Sequence, residues 1–356
     1  MTLKEVGDRY RGRKVLVTGD TGFKGAWLAF WLHRLGAHVL GYALPPRRDQ
    51  NPYRLLGPPG RSATSTVTFG TRTVFQRVMK EFSPEFLFHL AAQSLVRPSY
   101  ESPVETFSVN VGGTATVLEA CRRAPKLRSV VLITSDKCYR NREWVWGYRE
   151  TDSLGGDDPY SASKAAAETV YTAFARSYFD GSSTGVATVR AGNVIGGGDW
   201  AKDRVIPDCV RALKRGAPIV LRRPEATRPW QHVLEPLSGY LTLAVALADR
   251  PKEFAGSWNF GPNEEACLPV RSLVKTFLAH WGGGRVEVRR EVGGLRETTF
   301  LFLNCDKAKR LLSWRPRWTV DKALAETARW YQNAERKEHL TDLTWQQIQE
   351  YAGNVP

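Results

Sequence analysis

The stretch KVLVTGDTGFKGAW, residues 14–27, joins a short apolar run, a turn with three glycines and the start of an apolar helix. Strand, glycine turn and helix follow in the order that a dinucleotide-binding unit requires. Gly19 permits the tight turn, Gly22 lets a pyrophosphate approach the backbone, and Gly25 permits close packing of the helix. The first N–H groups of that helix would face the phosphates. The spacing is G-x-x-G-x-x-G, and its place after the first strand of an α/β chain predicts nucleotide binding.

Short apolar runs alternate with helical patterns along the first half of the chain, which is the rhythm of a parallel sheet with crossover helices. We predict strands at residues 15–17, 39–43, 66–69, 86–91, 130–134 and 186–190. We predict helices at residues 26–35, 73–82, 103–123 and 160–178. The proline-rich residues 45–60 are predicted to form a loop. The predicted fold class is α/β, a Rossmann-type doubly wound parallel sheet.

After residue 190 the pattern breaks into mixed short segments, beginning with GGGDW at residues 196–200. This break indicates a second, smaller lobe that closes over a substrate. We assign residues 1–193 and about 229–262 to a nucleotide-binding Rossmann domain. Residues about 194–228 and 263–356 form the mainly C-terminal substrate-binding domain in this interpretation.

Two segments supply the groups of a reaction centre, TSDK at residues 134–137 and YSASK at residues 160–164. Tyr160 and Lys164 lie one helical turn apart on the same face, where an ammonium favours the phenolate. Ser135 can hold a substrate hydroxyl beside Tyr160, which makes proton removal from an alcohol feasible near neutral pH. An amphipathic helix with a surface lysine is the plain alternative, because Y-x-x-x-K alone is common. The loops after successive parallel strands, at residues 19–25, 89–93 and 134–137, are expected to converge on one crevice.

Composition and charge exclude several classes of protein. The 356 residues are 42% hydrophobic and carry a formal charge of +15, but basic residues are interspersed with acidic ones and no nucleic-acid-binding module is recognised. We therefore expect a solvated basic surface, which also attracts phosphorylated substrates, and no nucleic-acid partner. No run approaches the roughly 20 apolar residues of a membrane span, and residues 1–13 are too charged for a signal peptide, so we expect a soluble cytoplasmic protein. Five scattered cysteines without C-x-x-C spacing indicate reduced thiols and no metal site.

The motifs T-G-x-x-G-x-x-G, H-L-A-A and Y-x-x-x-K, in this order, resemble those of the extended short-chain dehydrogenase/reductases. Longer segments, among them GDTGFKGAW, HLAAQSLVRPSY, TSDKCY, DPYSASKAAAE, RAGNVIGGGDW and RPWQHVLEPLSGY, are similar to the nucleotide-sugar 4,6-dehydratases of that family. The resemblance covers nearly the whole chain. It implies a bound nicotinamide cofactor, CDP-glucose as substrate, and its conversion to CDP-4-keto-6-deoxyglucose with loss of water. It also implies a homodimer and a role in deoxysugar biosynthesis for lipopolysaccharide O-antigens.

The resemblance implies a role for each member of the reaction centre. Tyr160, with Lys164 and Ser135, would remove the C4 hydroxyl proton as hydride leaves C4. Asp136 would protonate the departing C6 hydroxyl. Lys137 stands where related dehydratases carry a glutamate, which makes it the candidate base at C5, although a lysine is a base only in its neutral form.

The resemblance also implies two sets of binding residues. The cofactor set is Gly19, Thr21, Gly22, Phe23, Lys24, Gly25, Ala91, Ala92, Thr134, Tyr160 and Lys164. The substrate set is Ser94, Arg97, Asn193, Arg204 and Arg228. Arginine geometry suits the oxygens of a diphosphate, although each arginine has an alternative reading as a surface charge.

The cofactor is expected to be NAD, with NADP as an alternative. A fold that selects NAD commonly ends its second strand with an acid for the ribose hydroxyls, whereas residues 42–46 offer none and Arg47 and Arg48 follow. Thr71 stands where an acid usually follows the third strand. Asp20, inside the glycine turn, either adds negative charge near the pyrophosphate or caps the turn.

Two other functions stay open at this point. A simple oxidoreductase or a 4-epimerase acting on a nucleotide sugar, or another nucleotide-sugar 4,6-dehydratase, would use the same Tyr160 and Lys164. The oxidoreductase and the epimerase need no acid and base at C6 and C5, so Asp136 and Lys137 discriminate against them. A non-catalytic NAD-binding scaffold or a basic nucleic-acid partner would tolerate the loss of Tyr160 or Lys164, and both are present.

Overall fold

A parallel sheet forms the centre of the computed structural model, which describes residues 2–46, 52–57, 72–289, 300–334 and 337–353. The strands in these residues are β1 (Lys14–Thr18), β2 (His38–Tyr42), β3 (Phe86–His89), β4 (Ser129–Ile133), β5 (Gly185–Ala191), β6 (Val194–Ile195), β7 (Ile219–Leu221), β8 (Thr227–Pro229), β9 (Gln231–His232), β10 (Gly256–Phe260), β11 (Cys267–Pro269) and β12 (Val286–Val288).

Helices connect and cover these strands. They are α1 (Leu3–Asp8), α2 (Phe23–Arg34), α3 (Pro52–Leu56), α4 (Arg72–Phe82), α5 (Val96–Glu101), α6 (Pro103–Phe107), α7 (Gly113–Cys121), α8 (Pro159–Phe174), α9 (Val205–Lys214), α10 (Leu234–Asp249), α11 (Pro251–Phe254), α12 (Val270–Trp281), α13 (Asp306–Leu311), α14 (Val320–Asn333) and α15 (Lys337–Ala352). Single π-helical turns, Ser108–Gly112 and Ala175–Phe179, follow α6 and α8. Short 3₁₀ turns lie at Asp136–Cys138 and Glu264–Ala266.

The order of the central sheet is β2-β1-β3-β4-β5-β10, and all of its pairings are parallel. The chain leaves β1 toward β2 on one side and returns to β3 on the other, so a topological switch point lies between β1 and β3. Ligands of such sheets bind beyond the carboxyl ends of the strands at this point. The predicted doubly wound α/β fold is confirmed.

The strands are continuous apolar runs because both faces of the sheet are covered. Val15 and Val17 belong to one core cluster, while Leu16 between them belongs to the other, as the alternation of side chains along a strand requires. Helix α10 is buried from Leu234 to Ala248 because it packs on β4 and β5 and also meets the C-terminal segment, where Trp314 donates a hydrogen bond to the Glu235 carbonyl at 3.2 Å.

Most of the predicted elements are present, and the differences concern two helices and one loop. The predicted helix 103–123 is α6, a π turn and α7 in succession, and residues 160–178 are α8 with its π turn. The predicted strand 66–69 lies outside the described residues. The loop predicted for residues 45–60 is wrong in part, because α3 lies within it. Tyr53, Leu55 and Leu56 are buried there, so packing against α2 and α15 overrides the local signal of the prolines.

Small two-stranded sheets, β8 with β11, β7 with β12 and β6 with β9, occupy the later part of the chain. Helices α9, α12 and α14 accompany them, and α12 packs on both α9 and α14. Within the described ranges, no helix has the length and apolar character needed to cross a membrane.

Candidate active site

One cavity of about 1530 Å³ lies between the carboxyl ends of the central strands and the elements that follow β5. Its volume exceeds that of a typical small-ligand pocket, about 300–1,000 Å³, and is large enough for two ligands side by side. Every residue of the predicted sets lines it: Gly19, Thr21, Gly22, Phe23, Lys24, Gly25, Ala91, Ala92, Ser94, Arg97, Thr134, Ser135, Asp136, Lys137, Tyr160, Lys164, Asn193, Arg204 and Arg228. Segments that are up to about 200 residues apart in the sequence therefore meet at one site.

The glycine turn between β1 and α2 has the geometry of a phosphate cradle. Gly19 has φ +76°, and a Cβ on Gly25 would lie 2.1 Å from the Gly19 carbonyl oxygen, so the turn and the helix touch through backbone atoms. Helix α2 begins after Gly22, whose lack of a side chain leaves the first N–H groups facing the cavity without a side-chain cap. These features fit the pyrophosphate of a dinucleotide.

Asp20 points away from the mouth of this turn. Its side chain is fully buried, and a Cβ on Gly41 would lie 1.9 Å from Asp20 Oδ2, so the carboxyl group packs directly on β2 near its carboxyl end. Thr21, the next residue, donates a hydrogen bond to the Leu44 carbonyl at 2.9 Å and joins the turn to the segment after β2.

The segment after β4 folds into the 3₁₀ turn Asp136–Cys138, capped by Ser135. Ser135 Oγ accepts a hydrogen bond from the Lys137 amide at 3.2 Å and donates one to Asp136 Oδ1 at 2.9 Å. Ser135 and Asp136 are buried, while Lys137 is half-buried at the cavity wall. The capped turn therefore holds the serine and the carboxyl group together.

Tyr160 and Lys164 are carried by the first turns of α8, which begins after the N-cap Asp158. The Tyr160 amide donates to Ser99 Oγ at 3.2 Å, and Lys164 Nζ donates to the Ile133 carbonyl at the end of β4 at 3.3 Å. Burial raises the pKa of Tyr160 to about 12, although a hydrogen bond with Ser135 opposes the rise. The spacing of Tyr160 and Lys164 in the sequence shows the nearby ammonium but not this cost of desolvation.

Lys24 lies closer to the reaction centre than its position in the glycine turn suggests. Burial, together with the positive charges of Arg204 and Lys164, lowers the pKa of its ammonium to about 8, while Asp136 acts in the opposite direction. A second lysine therefore shares the electrostatic environment of Lys164 and Asp136.

Arg204, predicted to bind a diphosphate, is fixed by Asp199. Its Nη1 lies 2.8 Å from Asp199 Oδ2, and the ion pair raises the pKa of the guanidinium. Asp199 is itself held by the Ala201 amide, at 3.1 Å from Oδ1, and its carbonyl accepts a hydrogen bond from the Tyr331 hydroxyl. This anchoring presents Arg204 to the cavity in a defined orientation.

The other predicted substrate residues also sit on this side of the cavity. Arg228 Nη1 donates to the Thr227 carbonyl at 2.9 Å within β8, and Arg97 Nε lies 3.8 Å from Asp203 Oδ1. The carbonyl of Asn193 accepts a hydrogen bond from the Gln231 amide at 3.2 Å, which ties the segment between β5 and β6 to β9.

Sequence reasoning missed several residues of the site. Arg222 and Arg223 line the cavity directly after β7, and a pair of arginines at the end of an apolar run was a usable signal. Asp199 lies in the GGGDW segment that the sequence analysis identified, but its ion pair with Arg204 was not predicted. Glu168, four residues after Lys164, extends the same helical face, and the repeated four-residue spacing was the signal that could have identified it.

Comparisons with known proteins agree with this geometry. The family model described as the NAD dependent epimerase/dehydratase family matches residues 15–257. The chain is 42% identical over 347 residues to the CDP-glucose 4,6-dehydratase of Salmonella typhimurium. This alignment covers 96% of this chain and 97% of that protein. Among solved structures, the dTDP-glucose 4,6-dehydratase of Bacillus anthracis in complex with NAD has a TM-score of 0.76 at 21% identity, covering 92% of this chain and 98% of the other. An epimerase from Methanothermobacter thermautotrophicus has a TM-score of 0.78 at 22% identity, covering 94% and 97%. Because both structures are less than 25% identical to this chain, they support the assignment of the fold alone.

Proposed function

The chain belongs to the NAD-dependent epimerase/dehydratase family, and from this premise we propose that it is a lyase that converts CDP-glucose to CDP-4-keto-6-deoxyglucose with loss of water. The observation that carries the proposal is the 42% identity to a CDP-glucose 4,6-dehydratase over nearly the whole of both chains. The convergence of Ser135, Asp136, Lys137, Tyr160 and Lys164 on one cavity supports it.

The first stage requires proton removal from the C4 hydroxyl. Bound NAD supplies the acceptor for the hydride of C4, and later the donor of that hydride to C6. Tyr160 is the base in this proposal, with Ser135 holding the substrate hydroxyl and Lys164 providing positive charge. Because burial raises the pKa of Tyr160 to about 12, every cation near its phenol contributes to the population of the phenolate, and Arg204 acts in that direction.

The second stage is the elimination across C5 and C6. A ketone at C4 acidifies the C5 proton, which Lys137 removes while Asp136 protonates the C6 hydroxyl that leaves as water. Ser135 Oγ donates a hydrogen bond to Asp136 Oδ1 at 2.9 Å, which holds the carboxyl group in one orientation beside the cavity. Lys137→Ala should abolish deuterium wash-in at C5 and turnover; unchanged exchange and turnover would remove Lys137 from this role.

A 4-epimerase, or a dehydratase for another nucleotide sugar, is the alternative. An epimerase has no use for the adjacent Asp136 and Lys137, which argues for elimination. Turnover of CDP-, UDP-, dTDP- and GDP-glucose with added NAD, read from the alkaline absorbance of the 4-keto-6-deoxy sugar, distinguishes the substrates. Absence of this product with all four sugars would refute the proposed reaction.

NAD is the cofactor of the family, and a preference for NAD over NADP is part of the proposal. The family model that matches residues 15–257, described as NAD dependent, supports this preference. Titration of the protein with NAD and NADP separately tests the preference. The dissociation constant for NAD should be lower than that for NADP, and equal or reversed values would refute the preference.

The domain boundaries and the oligomeric state are also proposals. Residues 1–193 and about 229–262 would bind NAD, and about 194–228 and 263–356 the nucleotide sugar. A homodimer through the segments of α6, α7 and α8 is supported by exposed apolar side chains, with Val104 at 82%, Phe107 at 38% and Tyr178 at 54% exposure. Light scattering of the purified protein should give twice the mass of 40.0 kDa, and Val104→Glu should shift it toward the monomer.

We also propose action in the cytoplasm and, on the motif resemblance, a role in deoxysugar biosynthesis for lipopolysaccharide O-antigens. Deletion of the gene should remove deoxysugars from hydrolysed lipopolysaccharide, and an unchanged sugar composition would contradict this role.

A further inference from the structure

Glu168 is a buried carboxylate one helical turn after Lys164 on α8, with a side-chain exposure of 1%. Donors from three other segments surround it. They are Thr134 Oγ1 at 2.5 Å, Thr188 Oγ1 at 2.8 Å, Ser257 Oγ at 3.1 Å, Arg190 Nε at 3.0 Å and Arg190 Nη2 at 2.7 Å. This degree of hydrogen bonding satisfies a carboxylate rather than a neutral acid.

Arg190 forms a two-pronged ion pair with Glu168 and is itself held in place. Its guanidinium lies 4.8 Å from the centre of the Tyr139 ring, and its Nη1 donates to the Tyr139 hydroxyl at 2.7 Å. Tyr139 donates in turn to Asn259 Oδ1 at 2.8 Å. Burial alone would raise the pKa of Glu168, but Arg190 and the hydroxyl donors outweigh it and lower the pKa, so the group remains ionised.

Lys164 lies one turn before this carboxylate on α8, and its Nζ donates to the carbonyl of Ile133, the residue before Thr134, at 3.3 Å. Burial lowers the pKa of Lys164 to about 8, and Glu168 acts against that fall. The other ionisable groups that face Lys164 carry no compensating charge. Burial raises the pKa of the Cys138 thiol in the 3₁₀ turn and lowers that of His89 on β3 to about 3, so both are neutral, while Lys24 from the glycine turn repels Lys164.

We propose that Glu168, held by Arg190, is a positioning residue of the reaction: it keeps Lys164 in its ammonium form at neutral pH. Its bond to Thr134 also fixes the end of β4, directly before Ser135 and Asp136. Without the carboxylate, Lys164 would be buried beside a second lysine with no opposing charge and would release its proton. Tyr160 would then lose one of the cations that assist its deprotonation in the proposed mechanism. The inference rests on the proposed function only in this last step.

Competitive labelling with acetic anhydride tests the inference without substrate. Lys164 lines the cavity, so the rate of its acetylation against pH, followed by peptide mass spectrometry, gives its apparent pKa. In Glu168→Gln this value should fall by roughly one unit, since the buried ammonium loses an opposite charge that lies one helical turn away. Glu326→Gln, which removes a buried carboxyl paired with Lys322 on α14, should leave it unchanged.

A second variant covers the case in which the buried Arg190, left alone, prevents Glu168→Gln from folding. Glu168→Gln combined with Arg190→Gln removes both charges, and the apparent pKa of Lys164 should still fall. An apparent pKa equal to that of the wild type in the folded variant overturns the inference.

The pH dependence of turnover provides a second reading. If CDP-glucose is the substrate, the alkaline limb of the kcat profile should move to lower pH in the Glu168 variants by the same interval, and unmoved limbs would contradict the role in catalysis. If the wild type does not convert CDP-glucose, the proposed function fails, while the labelling result still decides whether Glu168 controls the charge of Lys164.

Discussion

Gly25→Ala should weaken both the fold and the binding of NAD, because the new methyl group has no space. Its carbon would lie 2.1 Å from the Gly19 carbonyl oxygen, 2.7 Å from the Gly19 carbonyl carbon and 2.9 Å from the Asp20 Cα. The first of these distances is over ~1 Å shorter than an ordinary contact. Because all three atoms belong to the backbone, the glycine turn must move, at a cost of about 1–3 kcal/mol. The same displacement should raise the Kd for NAD by roughly 5- to 150-fold.

Gly22→Ala is the matched control in the same turn. Gly22 has φ −79°, which alanine adopts freely, and its methyl carbon would lie 3.2 Å from the Gly19 oxygen, a tight but tolerable contact. We therefore expect urea unfolding near that of the wild type, combined with weaker NAD binding, because Gly22 is where a pyrophosphate would approach the backbone.

Urea unfolding and calorimetric titration with NAD, applied to both variants, separate the two effects. Gly25→Ala should lower both the free energy of unfolding and the affinity for NAD, whereas Gly22→Ala should lower mainly the affinity for NAD. Wild-type stability and wild-type NAD affinity in Gly25→Ala would refute the argument that backbone contact between the turn and α2 shapes the cofactor site.

Three further outcomes are expected. Asp136→Asn should lower kcat by about 10²–10⁴-fold while C4 oxidation persists, so reduced cofactor should accumulate at 340 nm; normal dehydration would exclude Asp136 as the acid. Asp199→Asn should release Arg204 and raise the KM for CDP-glucose more than it lowers kcat, whereas an unchanged KM would separate Arg204 from substrate binding. Burial raises the pKa of Glu235 to about 7, whereas the carboxyl group in the unfolded chain has a pKa of about 4.3. The folded protein therefore holds a proton that the unfolded chain releases. As the pH rises from about 4.5 to 7, the free energy of unfolding should fall by up to about 3 kcal/mol. Urea unfolding of Glu235→Gln at pH 5 and pH 8 should lack this loss, and a loss equal to that of the wild type would assign it to other groups.

The candidate site was predictable to the extent that it depends on local pattern. The glycine turn, the segment at residues 134–137 and the pair Tyr160 and Lys164 each stand at the end of a strand or on one helical face. Parallel strands end at the same edge of a sheet, so their convergence on one cavity followed from the predicted fold class. Family resemblance supplied the distant substrate residues, such as Arg204, which periodicity alone could not bring to the site.

The surroundings of these residues were not predictable from local pattern. Tyr160 shows the difference: its spacing to Lys164 predicted a readily formed phenolate, whereas burial raises its pKa to about 12. The sequence predicted Lys24 only as a cofactor contact, whereas in the structure the charges of Asp136 and Arg204 affect its pKa. Desolvation and charge depend on every atom that packs around a group, and those atoms come from segments far apart in the chain.

The sequence by itself determined the order of strand, glycine turn and helix, the parallel α/β class and the identity of the reacting side chains, because turns and periodicities depend on neighbouring residues. Only the tertiary structure decided that Asp20 packs on β2, that Asp199 holds Arg204, and that Glu168 and Arg190 form a buried ion pair behind Lys164. The residues of that last pair are 22 positions apart on α8 and β5, and their interaction exists only because the sheet excludes water from the space where they meet.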